Sequence, residues 1–259
     1  MSREVNAPDT ADLLAALRAS GDGLFALTDG ADLGAVVPAC PDWDIAGLLG
    51  HVGGLYHFHG ATVRRGVTNP PAAGTRPHPP DDRALVAGWA SNGFEYLFAA
   101  LSELPESAPA WNWANEPPVV RFWQRRMTHE TLVHRRDAEQ AVGAPLTGYG
   151  PLAGDGVDEV LAVFLPRALA RRPWEGPTGT ILVQATDFGA GWVVEIQGGT
   201  QLAVRPLGAE SAIGAGGGSA ATLLRGTAEQ LLLALWGREA FDPLLERGDR
   251  ELASALVVE

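Results

Sequence analysis

The segment His129–Asp137 has the sequence HETLVHRRD, in which acidic and imidazole side chains recur at helical intervals. Glu130 and His134 are four residues apart and therefore share one face of a helix. Asp137 lies about one further turn along that face. The segment predicts a helix that presents a carboxylate beside an imidazole, and the first half of the chain supplies three more helices to pack with it.

Those four predicted helices are separated by proline-rich breaks. Each carries apolar residues at near-helical spacing, and capping or stop residues mark the ends. The first helix is predicted to begin at Asp9 or Thr10, and the second to run from Asp44 to about Gly66. The third is predicted from about Asp82 to Leu104, and the fourth from after Pro118 to Gly143. Four long helices with connecting loops predict an antiparallel four-helix bundle.

The second half of the chain has a different pattern. A fifth helix is predicted from Asp155 to Arg171, with a kink at Pro166. Glycine-rich Ser211–Ser219 is interpreted as an edge strand or loop, and Thr227–Trp236 as a helix. Three short β-branched segments predict an antiparallel meander: Thr180–Thr186, Gly191–Gln197 and Gln201–Arg205.

The length of 259 residues suits one large or two modest domains. The change of pattern favours two, a helical domain over residues 1–150 and an α+β domain over residues 151–259. The second domain is predicted to begin somewhere between residues 150 and 178.

Composition excludes several classes of function. The net charge of −12 argues against general affinity for nucleic acid or an anionic membrane. All 19 basic residues are arginine, which excludes lysine Schiff-base chemistry. A single cysteine, Cys40, excludes an internal disulfide framework. We expect a cytoplasmic protein, because neither a signal peptide nor a membrane span is visible.

A divalent metal site is predicted from three side chains. His51 lies about two turns into the second helix, beside its apolar stripe, where it would face the bundle interior. A lone Glu-His pair is more often a surface pair or a core histidine, so the metal interpretation depends on His51 as the third ligand. Together with Glu130 and His134 it gives two imidazoles and one carboxylate, which leaves a position open for water or substrate. Asp137 is predicted to orient His134.

Three ordered segments resemble the mycothiol-dependent maleylpyruvate isomerase-like family. Residues 37–51 (VPACPDWDIAGLLGH) are similar to its V-P-x-C-P-x-W-x-x-x-x-L-x-x-H pattern, and residues 129–137 to its H-E-x-x-x-H-R-x-D pattern. Residues 232–238 (LLALWGR) are similar to its L-x-L-W-G-R segment. The resemblance implies a DinB-like four-helix bundle followed by a small sterol-carrier-like α+β domain. It also implies zinc, bound by His51, Glu130 and His134.

The implied activity uses a metal to activate a low-molecular-weight thiol, which the resemblance identifies as mycothiol. The thiol either adds reversibly to an unsaturated carboxylate such as maleylpyruvate, giving cis–trans isomerisation, or takes part in S-transfer to an electrophile. Arg238 is predicted to have a catalytic and cofactor-binding role, with Trp43 and Trp123 lining the pocket. That pocket is expected between the two domains. The alternative is a non-catalytic small-molecule or lipid-binding protein with a structural metal. The oligomeric state is left open.

The remaining polar residues receive simpler interpretations. His57 and His59 are interpreted as surface histidines, His129 as a packing or hydrogen-bonding residue, and Cys40 as a small buried residue. The arginines on the fourth helix are interpreted either as partners in solvated salt bridges or as groups that bind a carboxylate substrate. They are Arg121, Arg125, Arg126, Arg135 and Arg136. Gly214–Gly218 is not interpreted as a phosphate loop, because no lysine follows it.

Overall fold

The computed structural model describes residues 7–207 and 222–258. The chain divides into two compact units, of which one is Asp9–Thr147 and the other begins at Gly148. The segments Ser211–Ser219 and Gly214–Gly218 lie outside the described residues. No helix in the described ranges combines the length and apolar character that crossing a membrane requires.

The N-terminal unit contains four long helices, α1 (Thr10–Thr28), α2 (Ile45–Arg64), α3 (Val86–Glu103) and α4 (Val120–Val142). The side chains of Asp9 and Asp44 accept hydrogen bonds from the first turns of α1 and α2, as N-cap residues do. Gly143 ends α4 in the left-handed conformation, with φ of 69°. A 3₁₀ turn, Arg83–Leu85, precedes α3, so this helix begins later than the sequence predicts.

One hydrophobic core joins these four helices. α1 packs mainly on α4, and α2 packs mainly on α3. Large side chains that are completely buried fill the space between them, among them Leu17, Leu24, Leu48, Tyr56, Leu97 and Trp123. This core supplies the apolar burial that stabilises the unit.

The C-terminal unit combines helices with a five-stranded mixed sheet. Its helices are α5 (Ala153–Glu159), α6 (Leu165–Arg171), α7 (Ala228–Leu235) and α8 (Arg250–Ser254). Its strands are β1 (Gly179–Ala185), β2 (Ala190–Gly198), β3 (Gln201–Leu207), β4 (Thr222–Gly226) and β5 (Leu245–Arg247), in the spatial order β3-β2-β1-β4-β5. A π-helical segment, Val160–Phe164, joins α5 to α6, so the irregularity predicted at Pro166 falls just before the proline.

The sheet confirms the predicted antiparallel meander of β1, β2 and β3 and adds two strands that the sequence reading missed. β4 pairs with β1 in parallel, and β5 pairs with β4 in antiparallel orientation. Both missed strands are short, and β5 has only three residues, which is too few to show a period of two.

Close packing of α1 against α3 predicts opposite effects of two glycine substitutions. A Cβ at Gly21 would lie 2.0 Å from Cζ of buried Phe94, whereas a Cβ at Gly88 would meet no atom within 4 Å. We expect Gly21→Ala to lower the free energy of unfolding by about 1–3 kcal/mol through overpacking. We expect Gly88→Ala, the matched control, to raise it by up to about 1 kcal/mol through helix propensity. Denaturant unfolding measures both, and a Gly21→Ala protein as stable as the wild type would contradict this packing.

Candidate metal centre

Helices α2 and α4 bring together the three donors that the sequence singled out. His51 projects from α2, and Glu130 and His134 project from adjacent turns of α4. Oε1 of Glu130 lies 3.1 Å from Nε2 of His51 and 3.2 Å from Nε2 of His134. One ligand atom from each residue lies within 4.8 Å of the others, so the group has the size and chemistry to hold a metal ion.

The loop before α2 fixes both the start of that helix and the position of Trp43. The N–H of Val37 donates to the carbonyl of Trp43 at 3.0 Å, and the N–H of Trp43 donates to the carbonyl of Cys40 at 2.8 Å. Asp44 then caps α2 by accepting from the N–H of Gly47 at 2.9 Å. As a result, the ring centroid of Trp43 lies 4.6 Å from that of His51.

The carboxylate of Glu130 is 16% exposed and lies between Arg126 and two histidines. Nη2 of Arg126 donates to Oε2 of Glu130 at 2.7 Å, and the Arg126 side chain is only 4% exposed. Burial by itself would raise the pKa of Glu130. The charge of Arg126 and hydrogen bonds from His134 and His51 outweigh burial, so this pKa lies well below its usual value. Glu130 is therefore an anion at neutral pH, as a metal ligand has to be.

Asp137 sets the orientation of His134. Its Oδ2 lies 2.9 Å from Nδ1 of His134 and accepts a hydrogen bond from the N–H of that nitrogen, which leaves Nε2 to face Glu130. Burial alone would lower the pKa of His134, but hydrogen bonds to Asp137 and Glu130 raise it to about 9. Burial lowers the pKa of His51, which favours the neutral imidazole that a metal requires.

An open cavity reaches this group at His51. The cavity has a volume of about 650 Å³ and lies between the first turns of α2 and the segment Arg76–Pro80; we call it the α2 cavity. Trp43 and Arg83 also line it. A small molecule of substrate size fits in this volume and could contact the His51 side of the site.

Two further residues were predicted to contribute to the site, Trp123 and Arg238. Trp123 is completely buried, with its ring 3.9 Å from that of His59 and its Nε1 donating to the carbonyl of Trp111. Trp123 therefore does not line the α2 cavity, because its indole is part of the core. Arg238 belongs to the C-terminal unit, where its guanidinium donates to the carbonyl of Trp236 at 3.0 Å.

The histidines following His51 also differ from their interpretation as surface residues. His59 is 5% exposed, and burial lowers its pKa to about 3. His57 is half-buried, with Nε2 3.0 Å from the carbonyl of Trp89. His129 is buried, in agreement with a packing role. The α2 histidines are buried because α3, α4 and the proline-rich segment cover α2 on several sides.

Among the helix α4 arginines, Arg126 has a specific role that the sequence reading did not assign. Arg126 and Glu130 are four residues apart, a spacing that signals an ion pair on one helix face. Arg135 pairs with Glu139 at 2.9 Å, which matches the simpler salt-bridge interpretation. Arg76 was not singled out, because a proline-rich loop has no period from which its side-chain direction could be read.

Comparison with protein families covers both units. The model of the mycothiol maleylpyruvate isomerase N-terminal domain matches residues 13–139, and that of the MDMPI C-terminal domain matches residues 151–255. The chain belongs to the mycothiol maleylpyruvate isomerase family. Both matches confirm the resemblance seen in the three sequence segments. Searches of curated proteins and of solved structures return no match.

The contact between Asp137 and His134 generates a prediction about metal affinity. Asp137→Asn keeps the shape of the side chain but removes the negative charge that orients His134. We expect Zn²⁺ affinity to fall by about 10–100-fold, as for other carboxylate–histidine–metal arrangements. Competition with a chromophoric chelator measures the affinity. Exposed Asp22, paired with Arg18, provides the control Asp22→Asn, and equal affinity in both variants would contradict the assigned role of Asp137.

Proposed function

We propose that this member of the mycothiol maleylpyruvate isomerase family is a metal-dependent enzyme that activates mycothiol. Its reaction is cis–trans isomerisation of an unsaturated carboxylate such as maleylpyruvate, or S-transfer of the thiol. The observation that carries the proposal is the convergence of His51, Glu130 and His134 beside an open cavity. A cytoplasmic location stays a prediction.

The donor set fits zinc. Two imidazole nitrogens and one carboxylate oxygen are ligands that zinc accepts, and the group has three donors among the described residues. Zinc held by three protein ligands keeps a further position open, where it lowers the pKa of a bound thiol. The family membership supports mycothiol as that thiol.

The chain's own residues perform three tasks in this proposal. Arg126 holds one oxygen of Glu130, so the other oxygen points towards the two histidines. Asp137 orients the ring of His134. Trp43 lies against the ring of His51 and lines the α2 cavity, which supports a role for Trp43 in cofactor binding.

Isomerisation differs from S-transfer in whether the thiol is regenerated. Mycothiol would supply a thiolate whose addition forms a carbon–sulfur bond and breaks the π bond of the substrate, with the electron pair moving to the conjugated carbonyl. Rotation about the resulting single bond and the reverse step, in which the carbon–sulfur bond breaks and the π bond re-forms, would release the isomer. The thiol is regenerated and acts as a cofactor. In S-transfer the thiol is consumed as a leaving group departs. Measuring whether mycothiol is consumed in proportion to product separates the two reactions.

We further propose that the N-terminal helices form a DinB-like four-helix bundle and that the C-terminal unit is sterol-carrier-like, with domains over residues 1–150 and 151–259. Support for the bundle comes from the pairing of α1 with α4 and of α2 with α3 around one core. Support for the boundary comes from the two compact units, which divide between Thr147 and Gly148.

Replacement of a ligand tests whether the metal is catalytic. We expect His134→Ala to abolish mycothiol-dependent isomerisation while the protein still unfolds cooperatively, because the apolar core does not depend on the site. Turnover of the zinc-loaded protein and thermal melts are the measurements. His57→Gln on α2 is the matched control, since its ring bonds to a backbone carbonyl away from the three donors.

A structural metal would give the opposite pattern. In the alternative function, a non-catalytic binding protein, the binding energy of the metal is part of the folding energy. Loss of the cooperative transition in both His134→Ala and metal-stripped protein would therefore favour the binding protein and contradict the enzyme.

Arg238 is proposed to bind the thiol and to act in catalysis. We expect Arg238→Gln to raise KM for mycothiol by about tenfold or more, because a charged hydrogen-bond donor is lost, without changing the zinc content. Steady-state kinetics and metal analysis are the measurements. Arg225, which pairs with Glu246 on the sheet, provides the control Arg225→Gln. Equal KM values for mycothiol in wild type and Arg238→Gln would contradict a role for Arg238 in binding the thiol.

A further inference from the structure

Two arginines, Arg76 and Arg83, line the α2 cavity, and they differ in how they are already bound. Arg83 donates to the carboxylate of Asp44 at 2.7 Å and to the carbonyl of Leu33 at 3.0 Å. Its charge is therefore neutralised by the residue that caps α2. Arg76, in contrast, makes neither an ion pair nor a hydrogen bond with any residue in the described ranges. Its guanidinium is available to a ligand.

The position of Arg76 is close to the three metal-site donors. Its Nε lies 3.5 Å from where a Cβ of Gly54 would be, so the guanidinium covers α2 at that residue. Gly54 follows His51 by three residues, which corresponds to about 4.5 Å along the helix axis. A ligand that contacts His51 therefore lies within reach of the guanidinium.

The segment that carries Arg76 is stiff. Pro77, Pro79 and Pro80 follow it, and each fixes its own φ. Cγ of Pro79 lies 3.3 Å from where a Cβ of Gly50 would be, so the segment packs directly on the first turns of α2. An arginine on such a segment loses less conformational freedom when it binds a ligand.

We propose that Arg76 forms a carboxylate-binding subsite in the α2 cavity and so selects acidic substrates. A guanidinium binds a carboxylate through two parallel N–H donors, which combines charge with a defined orientation. In a chain with a net charge of −12, an uncommitted arginine beside the site attracts an anion that the rest of the surface repels. The inference rests on the proposed function only in one respect, which is the identity of the acidic substrate that Arg76 binds.

Other charged groups face the same cavity and set its selectivity. Asp42 lines the cavity and opposes the entry of a second anion there. The Asp44 carboxylate is occupied by Arg83 and by the N–H of Gly47. His78 also lines the cavity. Of the two arginines that line the cavity, Arg76 is thus the one whose N–H donors make no hydrogen bond to a described residue. These donors can bind a carboxylate.

Binding of two simple probes to the zinc-loaded protein tests the subsite. Maleate carries two carboxylates, and maleamate carries an amide in place of one of them. We expect Arg76→Gln to weaken maleate binding by about tenfold at low ionic strength, with little effect on maleamate. Added salt should reduce the difference, because the Arg76 side chain is exposed. Isothermal titration calorimetry measures the four dissociation constants.

Arg64→Gln is the control, because Arg64 is an exposed arginine on α2 that pairs with Glu103. It removes the same charge and should leave maleate binding unchanged. The proposal is overturned if wild type does not bind maleate, if Arg76→Gln binds it equally well, or if Arg64→Gln weakens it as much. Equal losses for maleate and maleamate would also overturn it, since they indicate a general disturbance of the loop.

The result is separable from the proposed function. If maleate binding depends on Arg76 but the protein shows no thiol-dependent turnover, the subsite is supported and the proposed enzyme function is contradicted. If thiol-dependent turnover is present and the KM for the acidic substrate is the same in wild type and Arg76→Gln, the enzyme function is supported and the subsite is contradicted.

Discussion

The largely buried carboxylate of Glu130 is the constraint on which the metal centre depends. Moving a carboxylate out of water is costly unless cations or hydrogen-bond donors surround it. Arg126 occupies one of its oxygens, and His51 and His134 lie 3.1 and 3.2 Å from the other. Because His51 belongs to α2 and the other groups to α4, satisfying this one charge fixes the position of one helix along the other.

Glycines in α2 allow its neighbours to come close enough for this arrangement. A Cβ at Gly53 would lie 2.7 Å from the ring of Trp89, and a Cβ at Gly60 would lie 2.7 Å from the ring of Tyr96. Each glycine weakens an isolated helix by roughly 1 kcal/mol relative to alanine. Here the aromatic rings of α3 fill the space instead, so contact with α3 offsets the lower helix propensity. A different face of the same helix, which includes Gly47 and His51, lines the α2 cavity.

Helical periodicity predicted most of the N-terminal unit, since capping residues such as Asp44 and Gly143 act locally and can be read from the sequence. The spacing of Glu130 and His134 likewise placed both on one face of α4. Contacts across the fold were harder to predict. Trp123 and His59 stack inside the core, and this depends on the rotation of α2 and α4 about their axes, which a few degrees of helix packing can change. The parallel pairing of β4 with β1 joins segments far apart in sequence, and no local signal specifies it.

The partners of Glu130 also explain how a binding site can exist before the metal arrives. In zinc domains whose folding needs the metal, the ligands have no other partners and the apolar core is small. Here Arg126 and the two imidazoles already satisfy the carboxylate, and Asp137 already orients His134. Completely buried residues from four helices form a core of their own. Arg126 remains bonded to its own oxygen of Glu130, so a metal has to replace only the contacts between the other oxygen and the histidines. A site built in this way is preorganised for the metal, which leaves the binding energy available for ligand chemistry instead of folding.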